Sequence, residues 1–548
     1  MIFVIVALVY GMNARNEFVR YDDSDYITRN AKIASGLTGS SVAWSFRLTK
    51  YAHNWHPLTW ISHGLDVSVA NWLKTDWRAA ENSSGIVARP SGPLAVLVHC
   101  ENVLIHAANA VLLYFLLLSI LRRVDAPGVL MPAVLVLFWA IHPLRVEVVA
   151  WASERKELLS AFFMLLSLLA YVHSRYWLSV PCAALALLAK PVAVSLPAVF
   201  FAFDWLFARK GPWRSLARAV PFVLLAAAAS ALTFLSQSEA LDRGQEWSCL
   251  TRLICVVEAP AVYLAQTFWP TGLAPDYQLP GVESWPWMVA GGLLHLGALA
   301  VPLWHCLCPG SRWSRLTLWG VAWVYVGLLP MIGIVKVGYE PHSDRYTYWI
   351  GCGCVAALAI AVAWTRPLWA PHRKRLLLGS AVLLAVLTIL TTAQSRHWRD
   401  SRALFARIVE MTHNEWFAKL LADILVSEGE QGKIAAEGML RDTLDVRRSP
   451  NARAALALHL AAYGRGVVTA GLSGEGETRF PEARFLAERA LEEKCRACWA
   501  VAALAIADYR DKRHVRAYRN LNEAIGLGFE PKSMGIDVAE WKRLADAE

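Results

Sequence analysis

The chain contains no HExxH, no GxxxxGK[ST] and no GxSxG. Those absences argue against a zinc protease of the common kind, a P-loop pump and an α/β-hydrolase. A second cysteine pair is also missing. Cys495 and Cys498 form a lone CxxC, and a zinc site would need another pair nearby. A local disulfide is open to them if that part of the chain is extracytoplasmic, but two ordinary helix residues is the plainer reading. Cys100, Cys182, Cys306, Cys308, Cys352 and Cys354 sit in apolar runs, as small buried thiols do. The N-terminus "MIFVIVALVYGM" lacks a basic start and a small-residue cleavage site, so it is not a signal peptide. It is also short of the ~20 residues of a full span. It reads as the tail of a first transmembrane helix, with a misplaced start codon as one reason for its shortness.

Apolar residues, by contrast, are plentiful. Of 548 residues 56% are hydrophobic and 25 are tryptophan, and mean hydropathy is +0.36. This is the composition of a polytopic membrane protein with room for a soluble domain. The net charge of +10 (54 − 44) does not point to nucleic acid, because the basic clusters sit in short loops: "LRRVDAP", "ARKGPWRSLAR", "SRWSR" and "PHRKR". That pattern reports topology. Apolar runs lie near 1–12, 94–121, 128–142, 158–174, 177–189, 191–208, 217–236, 253–269, 286–306, 316–335, 349–365 and 376–393. Placing the basic loops in the cytoplasm puts 13–93, 143–157, the break at Lys190-Pro191, 271–285, 336–348 and everything after 394 outside. The charge pattern closes only if 253–269, which carries Glu258 and Pro260, is an interfacial or re-entrant outside helix. Eleven spans follow, with the N-terminus inside and the C-terminus outside.

Beyond about 394 the chain becomes charged, Ala/Leu-rich and helical in period. "NEWFAKLLADILVSEG", "NARAALALHLAAYGRG" and "CWAVAALAIADYRDK" read as first helices of successive pairs. "GKIAAEGMLRDTLDV", "PEARFLAERALEE" and "HVRAYRNLNEAIGLG" read as the second. Their spacing is near the ~34 residues of a tetratricopeptide repeat, with an insertion around "VVTAGLSGEGETR". The expected fold is therefore all-α: a transmembrane domain over 1–393, whose first extracytoplasmic loop is 13–93, and a helical-repeat domain over 394–548. Such solenoids bind peptides or partner proteins; a purely structural cap is the rival.

Nearly every polar motif falls on the outside: "YDDSDY" (21–26), "NWHPLTWISHGLD" (54–66), "HPLRVEVVAWASERKE" (142–157), "LAKP" (188–191), "APDYQLP" (274–280) and "HSDRYTY" (342–348). Charge this close to a membrane interior marks a site or a pathway, here for a substrate half in the membrane and half in water. Asp22 and Asp23 could cap the following helix, but paired carboxylates straight after the first span favour function. His56 and His63 read equally well as satisfied interfacial histidines. Glu154, Arg155 and Lys156 could be snorkelling charges. Lys190, between two apolar segments, is placed for a phosphate. Arg345 has Asp344 beside it, so a structural ion pair competes.

"FVRYDDSDYIT", "GLTGSSVAWSF", "NWHPLTWISHGLD", "AIHPLRVEVVAWASERKELLSAFF", "LALLAKPVAVSLP", "FWPTGLAPDYQLP" and "HSDRYTYW" occur in this order. As an ordered set they resemble the transmembrane-and-tetratricopeptide-repeat family of protein O-mannosyltransferases and its bacterial relatives, over nearly the whole chain. The resemblance implies a GT-C glycosyltransferase fold, a polyprenyl-phosphate monosaccharide as donor, a Ser or Thr hydroxyl as acceptor, and inversion at the anomeric carbon. On that basis Asp22 or Asp23 is the expected base. Arg155, Lys156, Lys190 and Arg345 are the expected phosphate-binding cations, with His56 and His342 as hydrogen-bond partners. A phosphate leaving group needs no general acid, and enough cations remove the need for a metal, so no metal or cofactor is expected. The expected setting is the bacterial plasma membrane with a periplasmic repeat domain. A lipid or glycan acceptor, or a non-catalytic scaffold, are the other readings. Two carboxylates could also serve a glycosidase, but the phosphate-ready cations argue against it. A transporter would carry polar residues through the midplane rather than at one face.

Overall fold

The computed structural model describes the chain except residues 49–50, 76–91, 124, 127, 209, 244–247, 278–279, 281–283, 309–311, 332–341, 470–472, 494–497 and 535. Among the described residues the structure is all-helical. Among the described residues, those up to Ser401 build one compact unit and Arg402–Glu548 build a second.

Among the described residues of the first unit, each predicted apolar run overlaps a helix. Among the described residues, six helices are long and apolar enough to cross a membrane: Gly92–Arg122, Pro212–Ser236, Cys249–Phe268, Trp285–Leu307, Asp344–Trp364 and Arg366–Arg396. A seventh crossing is possible if Leu130–Ala140 and Pro143–Ala150, bent by 60°, count as one broken span. The sequence predicts eleven crossings, and the other predicted runs fall short of that test: Ile2–Arg15, Tyr176–Ala189, Pro191–Leu206 and Thr317–Leu328 are shorter helices, and Arg155–Val172 opens on Arg155, Lys156 and Glu157. Trp285–Leu307 leaves Leu293, Leu296, Leu299, Leu303 and Leu307 bare. Each would cost about 1.5–3 kcal/mol against burial in water, so these faces belong against lipid, and the chain is a membrane protein.

Cys249–Phe268 differs from expectation. It has a span's length and hydropathy, and Glu258, the residue that argued against a crossing, does not face lipid. It is buried, and its Oε1 lies 2.7 Å from His342 Nε2. The neighbouring helix crosses this one at Gly291, where a Cβ would stand 1.9 Å from the Val257 carbonyl oxygen. Small residues allow such close approach in membranes.

The unit is defined by helices that stop inside it. A backbone break at membrane depth frees carbonyls that water cannot reach, so protein must satisfy them. Helix Gly92–Arg122 answers with four buried polar residues on one face, His99, Asn102, His106 and Asn109. Asn102 donates to the Trp151 and Ala152 carbonyls. His106 Nε2 bonds the Ala140 carbonyl, and Asn109 donates to that of Leu158. Thr391 donates to the Ile141 carbonyl, and Thr59 to that of Ala189. Three breaks are stabilised in this way or lie beside such residues. They are the 3₁₀ turns Ala152–Glu154, Pro191–Ser195 and Asp344–Tyr346, and each starts, ends or is preceded by a charged side chain.

The second unit contains successive helix pairs: Glu415–Val426 with Glu430–Arg447, Pro450–Thr469 with Ser473–Glu492, and Cys498–Arg510 with His514–Gly526. The first pair shows why it forms. Asn414 caps its first helix by accepting from the Trp416 and Phe417 amides. The second helix then presses back at Gly432, where a Cβ would sit 1.9 Å from the Leu425 carbonyl oxygen. Cys495 lies outside the described residues, so the CxxC pairing has no structural counterpart.

Candidate functional site

The helix breaks bring one charged cluster together around Glu154. Its carboxylate is buried, with Oε1 3.1 Å from Lys156 Nζ and Oε2 3.1 Å from Lys190 Nζ. Arg345 Nε is 3.9 Å away. Burial alone would raise this carboxyl, but Lys156, Lys190 and Arg345 outweigh it and hold it down at about 2. Lys190 also reaches Glu157 Oε2 at 2.9 Å. Burial works against its ammonium, and Glu154 and Glu157 overcome it, so Lys190 is shifted up and stays charged. Arg345 pairs with Glu147, at 2.6 Å from its guanidinium and 3.0 Å from its backbone amide. The structural ion pair expected beside Arg345 is thus made with Glu147, while Asp344 Oδ1 accepts from Tyr277 at 2.7 Å.

Aromatic rings wall this cluster. Tyr21 stacks on Trp151 with centroids 4.8 Å apart. Lys156 Nζ lies 5.2 Å from the Trp151 ring centroid and 4.6 Å from that of Tyr26, and the Arg345 guanidinium is 5.7 Å from the Trp151 ring. Cations placed over aromatic faces stay charged and oriented even when partly desolvated.

The two opening carboxylates part company. Asp22 lies 3.6 Å from Lys156, and 39% of its side chain is exposed. Asp23 is fully buried. Its Oδ2 accepts from the Val19 amide at 2.9 Å, and its Oδ1 accepts from the Ser153 amide at 2.9 Å and the Ser153 hydroxyl at 2.8 Å. Burial pushes its carboxyl up to about 6 despite those bonds. As a base, Asp23 has no free edge to offer a substrate. It ties the first loop to the turn that carries Glu154.

The remaining expected residues sort in the same way. His56 Nδ1 is 3.1 Å from the Tyr26 hydroxyl. Burial, with Lys156 and Lys190 close by, holds its imidazole well below its usual range and therefore neutral. Arg155 is not in the cluster. Its guanidinium is fully buried and donates to Asn102, Ser62, Asp66, Glu101 and the Val98 carbonyl at 2.7–3.0 Å. Those acceptors occupy a fork that was expected to meet phosphate. His63 Nδ1 joins the same group, 3.4 Å from Asp66. His342 belongs to the separate buried pair with Glu258.

The structure therefore gathers Asp22, Lys156, Lys190, Arg345 and His56, and sets Asp23, Arg155 and His342 to other work. Sequence reading missed Glu147, Glu157, Tyr26 and Trp151 as members. All four lie inside the quoted motifs, so the signal was present without an assignment. Among the described residues no three His, Cys, Asp or Glu side chains converge as a metal site requires. Chemically, the cluster sets three cations, Lys156, Lys190 and Arg345, against the buried carboxylates of Glu147, Glu154 and Glu157, with the part-exposed Asp22 at its edge; an anion binding there would have to share those cations.

No family model, curated protein or solved structure matches this chain.

Proposed function

We propose that this chain is a membrane glycosyltransferase of the GT-C type. It moves one sugar, mannose or similar, from a polyprenyl-phosphate donor to a Ser or Thr hydroxyl of a protein. The ordered motifs that resemble the transmembrane-and-tetratricopeptide-repeat O-mannosyltransferases support the reading. The observation that carries it is the meeting of Lys156, Lys190 and Arg345 within 4 Å of one carboxylate, beside the exposed Asp22.

In the reaction proposed, the acceptor hydroxyl gives its proton to Asp22. Its oxygen forms a bond to the anomeric carbon from the face opposite the phosphate. The bond from that carbon to the phosphate oxygen breaks, and the electron pair leaves with the polyprenyl phosphate. Negative charge grows on that phosphate as the bond lengthens, and fixed cations aimed at it favour the transition state over the ground state. Glu154 keeps Lys156 and Lys190 in place before the donor arrives. The second unit, read as tetratricopeptide-like, would present the acceptor protein. The setting proposed is the bacterial plasma membrane with that unit in the periplasm.

The test is transfer by the purified protein from radiolabelled polyprenyl-phosphate mannose to a periplasmic protein extract. Label in protein from the wild type, lost in Asp22→Asn and retained in Asp23→Asn, is the expected result. If other donor sugars and lipid or glycan acceptors are screened too and none is labelled, the transferase reading falls and a scaffold is left. Label lost in Asp23→Asn but kept in Asp22→Asn would reverse the two roles.

A further inference from the structure

The second unit holds a cavity of about 360 Å³, a volume typical of small-molecule sites. It opens where the first helices of three successive pairs begin, at Glu415, Pro450 and Cys498. Two tryptophans form one wall. Trp416 and Trp499 stack with centroids 5.3 Å apart, and Trp416 is 56% exposed. A large ring bare beside a cavity gives a ligand an apolar face to lie on.

The rim decides what that is. Glu415, Arg447 and Asn451 line the same cavity, with Leu527 at its edge. Arg447 Nε lies 3.4 Å from Glu415 Oε2, so a carboxylate and a guanidinium stand side by side. An anionic ligand would meet the carboxylate. A cationic ligand would meet Arg447. An apolar peptide side chain would cover the Glu415–Arg447 pair without adding a hydrogen bond to it. A neutral ligand with one apolar face and adjacent hydroxyls satisfies every wall. Each hydroxyl can donate to Glu415 and accept from Arg447 or Asn451, while ring C–H groups lie on indole. That is the chemistry of a pyranose.

We infer that this cavity is a sugar-binding site, made for a neutral hexose unit of a glycan or glycosylated protein. It stands apart from the candidate transferase centre and does not depend on that assignment. An active transferase whose second unit ignores sugars would overturn only this inference.

The test uses the full chain in lipid nanodiscs, because many detergents carry sugar head groups. The probes are the methyl glycosides of mannose, glucose and galactose, with glycerol as control, followed by saturation-transfer NMR and calorimetry. The expected result is binding of at least one glycoside, with a dissociation constant on the order of 1 mM for so small a ligand. Trp416→Ala and Arg447→Ala should each weaken it about tenfold or more. Trp416→Phe should keep most of the affinity. Circular dichroism confirms that the variants remain helical, and a collapsed Trp416→Ala is replaced by the Arg447→Ala and Trp416→Phe pair. No glycoside binding overturns the inference. So does binding that Trp416→Ala and Arg447→Ala leave unchanged, because the sugar is then held elsewhere. A peptide that binds in a Trp416-dependent way while no sugar does also overturns it.

Discussion

Replacing Arg155 by methionine separates a structural arginine from a phosphate-binding one. The side chain is fully buried, and its guanidinium holds Asp66 and Glu101, each 2.7 Å away. Methionine fills much of the volume but leaves two carboxylates facing each other without a cation. Removing one partner of a buried pair typically costs about 3–5 kcal/mol, mostly from the charge left behind. The same contact acts on Asp66: burial would raise its carboxyl, but Arg155 and His63 outweigh that and hold it below the usual carboxylate range. The folded value is depressed, so this contribution is present above about pH 4, the ordinary carboxylate value, and is lost as pH falls below it. Thermal unfolding of the purified protein should show a midpoint lower by roughly 4–6 °C at neutral pH, and Asp66→Asn should recover part of it in the double variant. If Arg155→Met unfolds at the wild-type temperature and loses only sugar transfer, the structural assignment is wrong and Arg155 belongs with the phosphate-binding cations.

Three further outcomes follow from the geometry. Asp23 has its folded value raised to about 6, so it favours folding fully below about pH 4 and loses that contribution as pH rises through 6. The shift is worth about 3 kcal/mol, and denaturant unfolding of Asp23→Asn should lack that fall between pH 4 and 6. Lys190→Met should lower transfer about 10²–10³-fold, as loss of one transition-state donor does elsewhere, with Lys190→Arg recovering part; an unchanged turnover would remove Lys190 from the site. Gly291→Leu should force helices Cys249–Phe268 and Trp285–Leu307 apart, destabilising the protein by about 1–3 kcal/mol or more, whereas Gly292→Leu, with nothing within 4 Å, should be tolerated in the same melting assay.

The helices were legible because apolar runs of bilayer length, and the change of composition near 394, are properties of consecutive residues. The site was legible only as a set of motifs. Within each motif, neighbours in sequence point different ways. Successive helical residues turn by about 100°, so nothing in "SERKE" tells that Arg155 faces Asp66 while Lys156 faces Asp22. The same holds for Asp22 and Asp23, and for Asp344 and Arg345. Their partners settle the matter, and those lie far off: Ser153 is 130 residues from Asp23, and Glu147 is 198 from Arg345. One pattern could have been read and was not. His99, Asn102, His106 and Asn109 recur at intervals of three and four in an otherwise apolar helix, the spacing of a single face.

That polar face sets a problem of timing during synthesis. Helix Gly92–Arg122 leaves the ribosome before any of the segments it will serve. At ~5–20 residues per second the Trp151 and Ala152 carbonyls follow within a few seconds, but Tyr348, which bonds both His106 and Asn109, comes about ten to fifty seconds later. Until then His106 and Asn109 hold only the Ala140 and Leu158 carbonyls. The last third of this unit therefore completes the polar face of one of its earliest helices.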